Sequence, residues 1–137
     1  MKREILFRGK RKDNGEWVYG NLLIFGSGYE IMPKVGIGLV ESRIVIPETV
    51  GQFTGEHDAK GNSIFENDIL QSVESPSKYN YFVVFKQGSF GLYHTQIIES
   101  WRNEHLLWGS LQRAFELGDK FKLEVIGNTS DNPELLK

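Results

Sequence analysis

Short apolar runs broken by Gly, Pro, Asn and Asp dominate the chain, and helix-spaced apolar faces are few. Glu4-Ile5-Leu6-Phe7-Arg8 is a strand-forming run. Asp13-Asn14-Gly15 after it is a turn signal, because Asn and Gly tolerate positive φ at little cost. The stretch from Glu16 to Phe25 is long, β-branched and aromatic. Gly20 inside it predicts a bulge or a close backbone approach. Gly26-Ser27-Gly28 then turns the chain into Tyr29-Glu30-Ile31-Met32, ended by Pro33. The pattern predicts an N-terminal three-strand meander.

Val35-Gly36-Ile37-Gly38-Leu39-Val40 carries two glycines, but neither Gly-Lys-Ser/Thr nor a helical pattern follows. It reads as a turn between strands rather than a phosphate loop. Arg43-Ile44-Val45-Ile46 is a short strand stopped by Pro47. The polar stretch Glu56 to Asn62 places a junction between residues 1–61 and 62–137, two regions that share one core. Ser63-Ile64-Phe65 and Ile69-Leu70 flank a turn at Asn67-Asp68, and Ser75-Pro76-Ser77-Lys78 is a surface loop. Tyr79 to Phe85 and Phe90 to His94 read as paired strands. Ile97, Ile98 and Trp101 suggest a short helix over 95–103, with a second between Ser110 and Gly118. Lys122 to Ile126 is a last strand, and Asn132-Pro133-Glu134 starts a helical turn.

Composition narrows the chemistry. The 137 residues are 39% hydrophobic and 25% charged, those of an ordinary globular domain, long enough to bury roughly two-thirds of the unfolded surface. The absence of cysteine removes disulfides, thiolate metal sites and cysteine nucleophiles. No apolar run suits a signal peptide or a membrane span, so the expected address is the cytoplasm, with no membrane partner. The net charge of −2 is uneven. Residues 1–12 hold six basic groups against one acidic, while 13–61 hold three against seven and 62–137 seven against ten.

That basic end is the sharpest candidate site. Arg8, Lys10, Arg11 and Lys12 could contact phosphates, with Trp17 and Tyr19 on the paired strand as stacking surfaces. The favoured alternative is a solvated hairpin end whose charges blunt an edge strand. A second candidate is Pro47 to Gly55. Its Glu48, Thr49, Gln52 and Thr54 offer hydrogen bonds to a binding groove, but the stretch reads better as a connector with Val50 and Phe53 buried. Glu56, His57 and Asp58 sit on an expected exposed turn, where no apolar wall would shift a pKa. His94 and His105 lie near apolar strands or helix ends and read as packed. Asp68 reads as a carboxylate accepting backbone N–H groups in its turn. Trp101 and Trp108 read as core. Catalytic residues, cofactor and metal are all expected to be none. An enzyme would need several of Glu48, Asp58, Glu66 and Asp68 to converge.

Several phrases together resemble the YopX family of phage and prophage proteins. They are Phe7 to Arg11 with Asn14 to Gly20, Ile46 to Gly55, Asp58 to Leu70, and Glu124 to Asn128 with Asn132 to Leu136. The chain departs from the family pattern at Asn67-Asp68, where Gly-Asp is usual, and at Glu56 to Ala59. The resemblance implies a largely β architecture with an SH3-like barrel in the second half, and it brings no established catalytic residues.

The fold expected is therefore mostly β, or β-rich α+β. It comprises an N-terminal meander over 1–61 and an SH3-like barrel over 62–137, with one or two short helices. The expected function is that of a non-catalytic phage accessory protein binding a host or phage protein. Nucleic-acid binding through the basic hairpin is the alternative, and self-association through an edge strand is a secondary expectation.

Overall fold

The computed structural model describes residues 3–33, 41–73, 80–86, 88–94 and 122–136. The 35–40 and 75–78 stretches, both expected helices, Trp101, His105 and Trp108 lie outside them. Among the described residues there are ten strands, two 3-10 turns and no helix of seven residues or more. The chain divides into two compact units, Met1–Gly55 and Glu56–Lys137.

In the first unit β1 (Phe7–Lys10) and β2 (Trp17–Phe25) form a hairpin, Phe7 opposite Gly20 and Lys10 opposite Trp17. Gly15 makes the turn at φ 73, and Asn14 Oδ1 accepts the Glu16 N–H at 2.9 Å. β3 (Gly28–Pro33) continues the meander, with Gly20 opposite Pro33. A Cβ on Gly20 would overlap the Met32 carbonyl, so of the two expectations for this glycine the close approach is the one realised.

β4 (Arg43–Ile44) pairs with β3 through Glu30 and Ile31. Val45 then bridges Arg11, flanked by Lys12 N–H to Ile44 O and Ile46 N–H to Lys10 O, both 2.9 Å. The 43–46 segment thus meets β3 on one side and the end of β1 on the other, so the sheet curls. Ile31 and Val45 are fully buried within the curl, at 0% and 1% exposure. Gly9 fits there because it lacks a side chain: its Cβ would lie 3.1 Å from Val45 and 3.2 Å from Ile31.

Pro47 ends the strand and opens a 3-10 turn, Pro47–Thr49. The polar stretch expected to be a connector is then mostly strand, β5 (Gly51–His57), with Gln52 opposite Phe7 and Gly51 opposite Arg8. Its polar side chains hid this, because the pairing uses only backbone groups. Phe53 is buried as expected, whereas Val50 is half-buried. The order is β4-β3-β2-β1-β5, and β5 runs on into the second unit, where β6 (Ser63–Phe65) pairs with it.

The second unit holds an antiparallel sheet in the order β10-β7-β8-β9. Its strands are β7 (Asp68–Ser72), β8 (Asn80–Lys86), β9 (Ser89–His94) and β10 (Leu123–Asn128). Ile64, Leu70, Tyr81, Val83, Leu92 and Leu123 form its core, each buried side chain contributing about 1.5–3 kcal/mol. The alternation of β8 explains the face: Tyr81 lies opposite Leu70 and Val83 opposite Leu92. The expected barrel is not closed among the described residues, because β9 and β10 stand at the two ends of the order.

Candidate functional site

Alternation along β1 splits the basic cluster. Arg8 lies opposite Tyr19 and Lys10 opposite Trp17, so these four share one face of the sheet. Arg8 is buried, its guanidinium carbon 4.7 Å from the centre of the Trp17 ring, and the Lys10 ammonium lies 5.7 Å from the same ring. The stacking surface expected at Trp17 is therefore occupied by the protein's own cations. Tyr19 remains 45% exposed.

Arg11 and Lys12 lie beyond the strand end. Arg11 Nε and Nη2 hold the two Asp13 carboxylate oxygens at 3.0 and 2.7 Å. That hydrogen bond raises the Arg11 pKa and lowers that of Asp13, outweighing the opposing effect of burial on each. Lys12 is exposed.

The candidate groove residues differ in exposure. Glu48 is exposed on the 3-10 turn, and Gln52 and Thr54 are half-buried in β5. Thr49 is buried; its hydroxyl donates to Ile46 O at 2.6 Å and accepts the Lys10 N–H at 2.8 Å. It ties the 3-10 turn to β1.

In the second unit the expected exposed turn is corrected. Glu56 and His57 belong to β5, and Asp58 is buried at 6% exposure. Asp58 Oδ1 accepts the Lys60 and Asn62 N–H groups at 2.9 and 2.7 Å. Its Oδ2 accepts Asn62 Nδ2 at 3.1 Å and the Val125 N–H at 2.9 Å. Burial pushes the Asp58 pKa up, but the Val125, Asn62 and Lys60 donors outweigh it and hold it below the ordinary carboxylate value. The carboxylate staples the β5–β6 turn to β10, and the Lys60–Glu124 ion pair at 2.8 Å lies beside it. Asp68 acts as expected, accepting the Phe65 N–H at 2.7 Å, with Asn67 at φ 74 making the turn. Among the described residues no three His, Cys, Asp or Glu side chains come together as metal ligands.

Two features escaped the sequence. The face carrying Trp17 and Tyr19 continues along β2 to Leu23 and Phe25, and across β3 to β4, because Leu23 lies opposite Glu30 and Glu30 opposite Ile44. Phe25 and Ile44 are 61% and 59% exposed. The alternation in β2 was legible, but the place of Ile44 depends on a register no local pattern reveals. The second feature is a cleft of about 340 Å³ lined by Arg11, Lys12, Asp13, Ser42, Arg43 and Ile44. Its walls come from segments thirty residues apart.

These features define a small, antiparallel, β-rich protein in two units. The family model described as YopX protein matches residues 6–137, and the chain belongs to the YopX family. The crystal structure of protein EF1440 from Enterococcus faecalis is similar in fold, with a TM-score of 0.59 and 23% identity, over 99% of this chain and 100% of that one. No curated protein matches the chain. Among the described residues no helix is long and apolar enough to cross a membrane.

Proposed function

We propose that the protein is a phage or prophage accessory protein that works in the bacterial cytoplasm as a non-catalytic protein-binding module. The observation that carries this reading is the face of the first sheet, where Tyr19, Phe25 and Ile44 stand 45%, 61% and 59% exposed. Exposed large apolar side chains on one sheet face, beside Glu30 of β3, suit a protein interface with an aromatic and aliphatic centre and a polar rim. Three of the four cations of the nucleic-acid alternative are engaged internally, Arg8 and Lys10 on Trp17 and Arg11 on Asp13. An SH3-like barrel over 62–137 is the finer part of this proposal, and the antiparallel sheet β10-β7-β8-β9 of the second unit supports it.

The test uses the full chain as bait in host lysate, beside a Phe25→Asp, Ile44→Asp double variant. The reading expects a protein retained by the wild type and lost by the variant, with both chains melting alike. Retention of nucleic acid instead, with anisotropy-detected binding that weakens steeply as salt rises, would overturn it in favour of the basic hairpin.

A further inference from the structure

The cleft at the end of the β1–β2 hairpin has a specific chemistry. Three cations, Arg11, Lys12 and Arg43, line it against one carboxylate, Asp13, and Ile44 supplies an apolar wall that is 59% exposed. Its walls are fixed by backbone bonds: Lys12 N–H donates to Ile44 O at 2.9 Å and Arg11 bridges Val45. The cations are not equally engaged. Arg11 is held in a two-point fork by Asp13. Among the described residues Arg43 Nη1 meets the exposed Glu41, at 3.3 Å, with the two side chains 39% and 86% exposed. A long, solvated pair of this kind contributes little and exchanges readily for a better-placed carboxylate. The Lys12 side chain is exposed beside it.

We infer that this cleft receives an acidic side chain of the protein partner, between Lys12 and Arg43, while a neighbouring aliphatic side chain of the same segment packs on Ile44. The inference rests on the protein-binding reading above and names the partner's chemistry: a segment in which Asp or Glu adjoins Leu, Ile or Val. Ile44 joins the two surfaces, since it belongs both to the cleft and to the exposed sheet face. A peptide fits better than a nucleic-acid strand. Strand binding needs an open aromatic face along a continuous positive groove, whereas the Trp17 ring is covered by Arg8 and Lys10 and the cleft contains Asp13. The rigid walls lower the ordering cost of binding.

The test selects binders of the full-length protein from a yeast-displayed library of random peptides. It then titrates the enriched peptides against the wild type and three variants: Lys12→Glu with Arg43→Glu, Phe25→Asp with Tyr19→Asp, and the second-unit control Lys86→Glu. Enriched peptides are expected to pair acidic with aliphatic residues. Their binding should weaken by roughly tenfold in the cleft variant, hold in the control, and fall as salt rises. Circular-dichroism melts verify that each variant folds. Peptides without acidic enrichment, lost only in the Phe25 and Tyr19 variant, would overturn the cleft inference and leave the protein-binding reading standing. Selection of no peptide at all, or single-stranded RNA binding that the cleft variant abolishes, would overturn both.

Discussion

The two units solve the same problem, holding short antiparallel strands together, with opposite materials. The first relies on backbone proximity. Gly9 and Gly20 let neighbouring chain segments close in, the buried apolar side chains are Ile31, Val45 and Phe53, and the large side chains Tyr19, Phe25 and Ile44 are left outside. The second relies on side chains: a six-residue aliphatic and aromatic core, with the buried carboxylates Asp58 and Asp68 each holding backbone N–H groups. Charge follows the same division. The charges at Asp58 and Asp68 are committed to the fold, whereas Lys12 and Arg43 face solvent beside an apolar wall. On the proposed reading, recognition chemistry gathers where the backbone carries the structure.

The largest effect that could break this contrast is adding bulk to the first unit. Gly20→Val forces a Cβ into the Met32 carbonyl, and should lower unfolding free energy by about 4 kcal/mol or more. Removing bulk should matter most in the second unit, where Leu70→Ala, at a fully buried site, should cost about 3 kcal/mol. Urea denaturation measures both. A well-tolerated Gly20→Val would mean that β2 and β3 shift apart freely, and backbone proximity would lose its role.

What was legible follows from the same contrast. Turns were readable because their causes lie within four residues: Asn14-Gly15, and Asn67 with Asp68, carry their own φ and acceptor chemistry. Gly20 was readable as a close approach, though its partner Met32 was not. Asp58 was misread as an exposed turn residue because its burial depends on Val125, 67 residues on. Strand β5 was misread as a connector because Gln52, Thr54 and Gly55 have no strand pattern, and its pairing with β1 is a backbone matter. The basic cluster was counted as one patch, while strand alternation and the Arg11–Asp13 pair distribute it over separate surroundings. Long-range pairing decides the first two, and local alternation and pairing the third.

A smaller effect separates the committed carboxylate from the surface one. Asp58→Ala leaves three backbone donors and the Asn62 amide without their acceptor, and should cost about 2–3 kcal/mol. The sign with pH is set by the lowered pKa in the folded state. The ionised carboxylate stabilises the fold above its unfolded value of about 3.9, and that stability is lost as pH falls through the lower folded value. Urea midpoints between neutral and acidic pH should therefore drop for the wild type and flatten for Asp58→Asn. Asp13 is also lowered, first by its hydrogen bond from Arg11, but it is exposed, so Asp13→Asn should follow the wild-type slope. Equal flattening in both variants would erase the distinction between the units' charges.

The smallest effect tests what the units share. Each makes a turn with a residue in the left-handed region: Gly15 at φ 73 in the first hairpin, and Asn67 at φ 74 before β7. A Cβ on Gly15 would meet nothing within 4 Å, so only the backbone conformation opposes a side chain there. Asn is the non-glycine residue that bears this conformation best, while Ala bears it at a cost of roughly 1 kcal/mol. Gly15→Asn and Asn67→Gly should each stay within about 0.5 kcal/mol of wild type, and Gly15→Ala and Asn67→Ala should each lose about 1 kcal/mol. If Asn67→Gly proves clearly the worse of the two exchanges, the Asn67 side chain contributes beyond its φ. The second unit would then be stapled by side chains even at its turns, and the contrast with the first would extend to the one device they have in common.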